Sequence, residues 1–325
     1  MNKSIAIGLG ITEFPFSGAQ AFWRWVDLCE QGGIDSLWQT DRLISREPIL
    51  ECMTMLAALA GRTRRLKFGV NVVSLAMRDP VLLAKQCATI DVLSDGRLLP
   101  GFGIGSPRGP EWAALHLDTT TRGKRTDEAL EIIRRLWSED SVDFDGRHNQ
   151  LTGASISPKP VQKDLPIWIG GASDAAIRRT ARYGTGWQGG PETPEQIAPI
   201  IAGIRAAAIA AGRRIDDDHY GAAFPFHFGH PDDPGIPRAM EAFRKRTGQE
   251  AANYFAIGDS ATILERIDAY VAAGAQKFIL RPMALDDEGM MAQTRRIIDE
   301  VLPRVAARWP KPVKDAGGDG GPAYA

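Results

Sequence analysis

Short β-prone runs alternate with amphipathic helical stretches along this chain of 325 residues. Strands are expected at Ser4–Leu9, Asp35–Gln39, Leu66–Val73, Arg97–Gly103, Pro166–Gly170, Thr185–Gln188, Tyr220–Phe228 and Lys277–Leu280. Helices are expected at Gln20–Gln31, Glu51–Ala60, Val81–Leu93, Arg122–Trp137, Pro194–Ala211, from Ser260 onward, and at Glu288–Arg308. A further helix, which Ser173 or Asp174 can cap, is expected to run to Tyr183. Such alternation is typical of βα units around a parallel sheet. The count of eight β-like and about eight α-like segments predicts an α/β fold of the closed (β/α)8 TIM-barrel type.

Longer connections predict insertions after strands four and seven. A hairpin is also expected where Val142–Phe144 and His148–Leu151 flank an Asp-Gly turn. After strand seven, the polar, proline-rich stretch Gly229–Pro237 leads into a charged helical segment, Arg238–Gly248. We expect residues 1–314 to form one barrel domain and the glycine-rich residues 315–325 to form a disordered tail.

Composition excludes several other classes of protein. A formal net charge of −1 leaves no global basic field, which argues against nucleic acid as a partner. The chain has neither an apolar run of about 18 residues nor an export signal at its start, so we expect a cytoplasmic protein that does not enter a membrane. Cys29, Cys52 and Cys87 lack CxxC or paired-histidine spacing, so buried reduced thiols are expected and a metal site is not.

Two other enzyme folds can be weighed against the barrel. Gly101-Phe-Gly103-Ile-Gly105 superficially resembles a phosphate turn of a doubly wound dinucleotide-binding sheet. Its spacing is G-x-G-x-G, it lies in the fourth βα unit, and the acidic partner is missing, so the motif does not fit. A metal-dependent barrel hydrolase would show His-x-His after the first strand, where this chain has Gly10-Ile-Thr12.

In a TIM barrel the active site lies at the carboxyl ends of the strands. After strand five, Gly170, Gly171, Ala172 and Ser173 lead directly into a helix. The backbone N–H groups and the positive end of that helix are suited to hold a phosphate, which the glycines would allow to approach closely. The alternative is that the glycines only tighten the turn and Ser173 only caps the helix.

Asp41 and His227 are the candidate catalytic residues at these strand ends. The Asp41 carboxylate is placed to accept a hydrogen bond from a polar ring or a substrate hydroxyl; alternatively it pairs with Arg42 or caps the next turn. His227 is placed to act as an acid, a base or a substrate contact near the end of strand seven. A histidine packed among aromatic residues also has a structural interpretation.

Three further side chains are candidates for binding. Arg108 follows strand four and Arg281 ends strand eight, so each can meet an anionic group on a cofactor or substrate, or make a salt bridge instead. Trp187 lies after strand six, where it either forms a wall for a flat ring or belongs to the core.

Several stretches together resemble the luciferase-like monooxygenase family, and the resemblance covers residues 5–303. They include Gly33-Ile-Asp-Ser-Leu-Trp-Gln-Thr-Asp41-Arg42, Arg65-Leu-Lys-Phe-Gly-Val-Asn-Val, Asp79 through Arg97 continuing to Gly105, Arg122-Gly-Lys-Arg-Thr-Asp-Glu-Ala-Leu, Pro166-Ile-Trp-Ile-Gly-Gly-Ala-Ser and Gly184-Thr-Gly-Trp187. Their order and spacing carry the resemblance more than any single piece.

The resemblance implies a barrel that binds FMN or coenzyme F-420 with its ring across the strand ends. It implies a non-proline cis peptide at Asn71-Val72 beneath the ring, a phosphate-binding turn at residues 170–173, and a position for Asp41 close to the ring. The strand-four loop supplies further expected cofactor contacts, namely Gly103, Gly105, Ser106 and Arg108.

Two residues depart from the family pattern that the resemblance implies. Arg42 stands where relatives frequently carry histidine, and we expect it, with Arg281, to contact the substrate. Ser106 stands where deazaflavin enzymes that oxidise sugar phosphates carry glutamate, which argues against that dehydrogenase chemistry.

The resemblance implies a flavin-dependent monooxygenase that oxidises a small organic substrate with reduced FMN and O2. The first alternative is hydride transfer by coenzyme F-420, and the second is a flavin-binding protein without catalysis. The resemblance also implies a homodimer and, where FMN diffuses, a separate NAD(P)H:flavin reductase.

Overall fold

The computed structural model describes residues 4–310, and it forms the closed α/β barrel that the alternation predicts. The strands are β1 (Ala6–Ile11), β2 (Ser36–Gln39), β3 (Lys67–Val70 and Val73–Ser74), β4 (Leu98–Leu99 and Gly101–Gly103), β5 (Trp168–Gly170), β6 (Gly186–Gln188), β7 (Tyr220–Phe228) and β8 (Lys277–Pro282). Every pairing between them is parallel, and β1 pairs with both β2 and β8, which closes the sheet. The predicted tail, 315–325, lies outside the described residues.

One principal helix follows each strand and covers the barrel. These helices are α1 (Ala19–Gln31), α2 (Cys52–Arg62), α3 (Pro80–Ser94), α4 (Arg122–Ser138), α5 (Asp174–Tyr183), α6 (Pro194–Ala210), α7 (Ser260–Ala272) and α8 (Asp287–Arg296). The predicted single closing helix is interrupted after α8 by a π-helical turn, Ile297–Val301, before helix resumes at Leu302–Arg308. Pro303 has no N–H to donate four residues back, which accounts for the interruption. Across residues 4–310, no helix combines the length and apolar character needed to cross a membrane.

Both predicted insertions are present, and both extend from the carboxyl ends of strands. The segment after β4, here the β4 insertion, includes the short helix Glu111–Ala114. The segment 229–259 after β7, here the β7 insertion, contains the helix Ile236–Thr247 and a short strand, Ala256–Gly258, that pairs with the end of β7. The predicted hairpin pairs Val142–Asp145 with Gln150–Ala154 and precedes β5.

The barrel interior is filled by a small apolar cluster, which consists of Trp38, Leu99, Trp168, Ala223 and Ile279. Glycines opposite these side chains make room for them. A Cβ atom on Gly69 would overlap the ring of Trp38, and one on Gly186 would lie 2.8 Å from the ring of Trp168. The barrel is therefore a packed core, and the cluster forms the floor of its carboxyl-end mouth.

Lys277, Asp35 and Lys67 form a charged cluster at the amino-end face of the barrel. The Asp35 carboxylate pairs with the buried ammonium group of Lys277, and its other oxygen lies 3.9 Å from Nζ of Lys67. Burial alone would raise the pKa of Asp35, but the two ammonium groups outweigh it and lower that pKa to about 2. The cluster is a stabilising feature, because this face of a TIM barrel is remote from the chemistry.

This pKa predicts how the contribution of Asp35 to stability changes with pH. The group is more acidic folded than unfolded, so its stabilisation is complete above its ordinary pKa of 3.8 and is lost as the pH falls toward 2. Between pH 5 and pH 3, the free energy of unfolding of the wild type should fall by about 1 kcal/mol more than that of Asp35→Asn. Urea unfolding of both proteins measures the difference, and parallel pH curves would contradict it.

Candidate active site

Residues from several strand ends meet at the mouth above the barrel floor. At Asn71–Val72 the backbone has a cis peptide bond, as the resemblance implied. The bond divides β3, which the sequence predicted as continuous. The Val72 side chain packs over β4 and β5: a Cβ on Gly103 would lie 2.6 Å from Val72 Cγ2, and one on Gly170 would lie 3.1 Å from Cγ1. Val72 is half-buried, so it presents an apolar surface at the mouth.

Asp41 lies beside this bulge and is held in a buried ion-pair network. Its side chain is only 2% exposed. One carboxylate oxygen accepts a hydrogen bond from the backbone N–H of Ser74 at 2.9 Å, and the other accepts from Nη2 of Arg78 at 2.7 Å. Arg78 also binds Glu51, with 3.0 Å between Nη1 and Oε1. Asp41 therefore fixes the second half of β3, immediately after Val72.

This network corrects one of the sequence alternatives. Asp41 pairs with Arg78, not with Arg42, whose half-exposed side chain instead lies 3.7 Å from buried Glu111 in the β4 insertion. Sequence reasoning missed Arg78. Arg78 directly precedes the Asp79-Pro80 start of α3 and so lies on the same barrel face as the strand ends. This position in the sequence could have identified it as a site residue.

The three cysteines are free and buried, as predicted. The Cys52 thiol belongs to the Asp41 network, with its sulfur 3.4 Å from Oδ1 of Asp41. Burial raises the pKa of Cys52 well above its ordinary value, and the nearby Asp41 carboxylate raises it further. Cys52 is thus a neutral thiol and not a nucleophile.

The turn between β5 and α5 has the features of an anion site. Gly171 has a φ of +107°, a conformation that favours glycine. The Ser173 hydroxyl accepts a hydrogen bond from the N–H of Ala176 at 3.3 Å and so caps α5, as one interpretation predicted. The other N–H groups of the first turn have no partner within the helix, so they remain available to an anion together with the positive end of the helix.

Trp187 supports this turn from behind. It is fully buried in the layer between strands and helices, and its indole Nε1 donates a hydrogen bond to the carbonyl of Gly171 at 2.8 Å. The prediction that Trp187 forms a wall for the cofactor ring is therefore wrong, because its side chain points away from the mouth. The core interpretation is the one that its position supports.

His227 also has a position that its sequence context only partly indicated. Its Nδ1 lies 3.0 Å from the carbonyl oxygen of Met283, beyond the end of β8, and its Nε2 lies 2.9 Å from Oδ2 of Asp233. Both ring nitrogens are thus engaged by protein groups. His227 joins the start of the β7 insertion to β8, which supports the structural interpretation over a role in proton transfer.

The β4 insertion covers one side of the mouth. Gly105 has a φ of +75°, and the indole Nε1 of Trp112 donates a hydrogen bond to the carbonyl of Ser106 at 2.7 Å. Ser106 and Arg108 are both exposed, and Arg108 makes no ion pair with any of residues 4–310. Its guanidinium group is therefore free to meet an anion at this rim.

Among the described residues, two strand residues near the mouth each have a buried polar atom without a hydrogen-bond partner. These atoms are Oε1 of Gln188, at the end of β6, and Nε of Arg281, in β8. Arg281 donates through Nη2 to the Tyr254 hydroxyl, which in turn donates to the carbonyl of Gly190 at 3.0 Å. Sequence reasoning missed Gln188 and Tyr254, although Gln188 ends a predicted strand and was open to the same argument as the other strand ends.

Two other surface features lie away from the mouth. A groove of about 580 Å³ lies on the outer surface, between α7 and the helix that ends at Arg308. Asp216, Asp218 and His219 hold possible ligand atoms within 4.8 Å of one another just before β7 begins, and both carboxylates are exposed. Neither lies at the carboxyl ends of the strands.

Comparison with known proteins gives a family match and several relatives. The family model described as luciferase-like monooxygenase matches residues 12–254. Uncharacterized proteins of Mycobacterium tuberculosis and Mycobacterium bovis are 35% identical over 168 residues. That match spans 51% of this chain and 57% of each relative, so it covers only about half of either protein.

Solved structures of the same fold cover almost the whole chain. The monooxygenase RslO1 of Streptomyces bottropensis has a TM-score of 0.79 at 21% identity and covers 92% of this chain and 99% of its own. An F-420-dependent secondary alcohol dehydrogenase, bound to an F-420–acetone adduct, has a TM-score of 0.78 at 19% identity over 94% and 99%. The oxygenating constituent of 3,6-diketocamphane monooxygenase from Pseudomonas putida, in complex with FMN, has a TM-score of 0.77 at 18% identity. It covers 95% of this chain and 100% of its own. At such identities these structures show the fold alone.

Proposed function

This chain belongs to the luciferase-like monooxygenase family, and on that premise we propose that it is an oxidoreductase that binds a reduced flavin or deazaflavin at the barrel mouth. The observation that carries the proposal is the turn at residues 170–173. Its first helix N–H groups have no acceptor within the helix, and Gly170 at its start packs against Val72, as a phosphate-bearing ring cofactor requires.

The residues present fit such a cofactor at both of its ends. The phosphate would be held by the N–H groups that follow Gly171 and by the positive end of α5, with Arg108 as an additional cation. The ring would lie against Val72, over Gly103 and Gly170, which leave room because they have no side chains. The buried Oε1 of Gln188 lacks a protein partner and is the kind of acceptor that a ring N–H can satisfy.

FMN with O2 and a small organic substrate is the first candidate, and coenzyme F-420 is the alternative. Reduced FMN would supply electrons for the activation of O2, whereas reduced coenzyme F-420 would supply a hydride. Ser106 favours FMN, because the resemblance places glutamate there in the deazaflavin enzymes that oxidise sugar phosphates. Solved relatives of both kinds share the fold, so a binding measurement must decide between them.

The chain's own residues bind, orient and exclude water in this proposal. Asp41 acts as a positioning residue, because both its oxygens hold protein groups. His227 likewise positions the β7 insertion, because both its ring nitrogens lie against protein groups. Arg42 and Arg281 are the proposed substrate contacts, since Arg42 lies at the rim and Arg281 inside the mouth.

Anaerobic titration of the purified protein tests the proposal. Reduced FMN, reduced coenzyme F-420 and reduced riboflavin, which lacks the phosphate, are each added and followed by absorbance. We expect one phosphate-bearing cofactor to bind at least about 100-fold more tightly than riboflavin, because charge-assisted hydrogen bonds to phosphate are strong. Binding of neither cofactor would overturn the proposal, and equal binding of FMN and riboflavin would remove the phosphate site from it. Turnover then separates an enzyme from a flavin-binding protein without catalysis.

A homodimer, a cytoplasmic location and a separate NAD(P)H:flavin reductase stay predictions. For the dimer, Leu82 and Leu93 of α3 are 58% and 63% exposed. They are about three helical turns apart and therefore share one face of the helix. An exposed apolar face of this kind supports an interface between two copies.

A further inference from the structure

Arg281 is a cation inside the barrel mouth without an acidic partner. It lies two residues after Ile279, a member of the interior cluster, so its side chain points to the same side of β8. Neighbouring β1 has a glycine, Gly10, beside Arg281, and a Cβ atom there would lie 3.4 Å from Cγ of Arg281. The Arg281 side chain therefore passes over a residue that has no side chain of its own. Among residues 4–310, no carboxylate lies within 4.0 Å of its guanidinium nitrogens.

Within residues 4–310, the one side chain that hydrogen-bonds to Arg281 is neutral. The Tyr254 hydroxyl accepts from Nη2, and burial raises the pKa of that tyrosine, so it does not serve as a counter-ion. Tyr254 is fixed by its hydrogen bond to Gly190 and by stacking on Phe243, with 5.0 Å between ring centroids and 13° between planes. The Arg281 side chain is therefore held in place while Nε, which is buried, and Nη1 have no hydrogen-bond partner among the described residues.

A partly buried guanidinium in this state favours an anionic ligand. Removing a charge from water is costly unless the charge is paired, and the part of the chain that the structure describes supplies no acidic partner for Arg281. Two free N–H directions on a planar guanidinium match the two oxygens of a carboxylate. One cation also balances one carboxylate, whereas a phosphate dianion would retain excess charge.

The rim of the same mouth carries apolar side chains beside the cations Arg42 and Arg108. Large exposed apolar side chains lie on the loops after β2, β4 and β8, and they are Leu43, Ile44, Leu50, Leu115 and Leu285. Leu285 is 70% exposed, and it also borders Gly235 of the β7 insertion. A ligand that reached Arg281 through this rim would place its apolar part against these side chains.

We propose that the substrate of this site is a small organic acid, with its carboxylate on Arg281 and its apolar part toward the leucine-rich rim. The inference rests on the proposed function for the reaction, but the acid-binding site itself stands on the contacts of Arg281 and Tyr254.

Matched pairs of acid and amide test the proposal. Octanoate is compared with octanamide, and benzoate with benzamide, by calorimetric titration of the wild-type protein, Arg281→Met and Arg281→Lys. For at least one pair, the wild type should bind the acid at least about tenfold more tightly than the amide. Arg281→Met should weaken binding of that acid at least about tenfold and leave binding of the amide unchanged. Arg281→Lys should fall in between, because lysine keeps the positive charge but lacks the two parallel N–H donors of a guanidinium. Arg46→Met, which removes an exposed cation from the loop after β2, is the control that should bind as the wild type does.

Three outcomes overturn the acid site: no preference for either acid in the wild type, a preference retained in Arg281→Met, or loss of preference in Arg46→Met as well. Urea unfolding checks that the Arg281 variants remain folded, and Arg281→Lys keeps the test valid should Arg281→Met not fold. Each protein is also titrated with reduced FMN. If only FMN binding is lost in Arg281→Met, the residue serves the cofactor and the acid site is wrong. If the wild type prefers the acid but binds no cofactor, the proposed function fails and the acid site stands.

Discussion

Replacing Ser173 by aspartate is expected to abolish tight binding of the phosphate-bearing cofactor while leaving the fold intact. Aspartate caps helices as well as serine does, so α5 should keep its capping hydrogen bond to the N–H of Ala176. The new carboxylate would lie at the proposed phosphate site and would repel the phosphate. With like charges a few Å apart at a partly exposed site, the dissociation constant should rise about 100-fold or more. The anaerobic cofactor titration measures the change.

Ser173→Asn is the matched control, because asparagine keeps the cap without the charge. Its cofactor affinity should stay within about threefold of the wild type, and urea unfolding should give similar stabilities for all three proteins. Gly171 is a poorer position for this test, because its φ of +107° would strain any other residue. Equal losses of affinity in the two Ser173 variants would show that the hydroxyl itself matters and that charge does not.

Replacing Arg78 by methionine is expected to destabilise the protein by about 3–5 kcal/mol. The change leaves the carboxylate of Asp41, whose side chain is 2% exposed, without its counter-ion. It also removes the partner of Glu51, which begins α2 as its N-cap. Urea unfolding of the variant and the wild type measures the loss.

The double variant Asp41→Asn/Arg78→Met separates the cost of an unpaired charge from other effects. It should recover a large part of the lost stability, since no buried carboxylate remains uncompensated. Arg42→Met is the control from the neighbouring residue. Its ion pair with Glu111 is half-exposed, so its loss should change the free energy of unfolding by less than about 1 kcal/mol. A double variant less stable than Arg78→Met would contradict this account of the network.

The sequence was sufficient to predict the barrel because its signal is local and repeated. Each strand and helix carries its own periodicity, and parallel βα units admit few topologies. β7, Tyr220–Phe228, was predicted to the residue, and α5 was predicted to end at Tyr183 with Ser173 or Asp174 as its cap, of which Ser173 is the cap in the structure. The position of candidate residues at the mouth followed from the fold, since the carboxyl ends of all strands share one face.

The contacts within the site could not be predicted in the same way. Asp41 and Arg78 are 37 residues apart, and only the packing of β2 against the bulge in β3 brings them together. For Trp187, the strand was predicted correctly, but the choice between the mouth and the outer layer depends on side-chain direction. Tyr254 belongs to the β7 insertion, and its packing against Phe243 brings it back to Arg281. This contact cannot be read from the periodicity of the sequence.

The two ends of the β7 insertion lie side by side, because Phe228, directly before its start, pairs with Gly258 near its end. A loop whose ends already adjoin can change in length and sequence at little cost to the framework that carries it. This insertion supplies Tyr254, which orients Arg281, so any exchange of the segment would alter the mouth while β7 and β8 keep their register. Related barrels can therefore differ in the molecules they accept through changes in this one segment. Replacing residues 229–259 by the corresponding segment of a relative is a direct route to a chimera with altered selectivity.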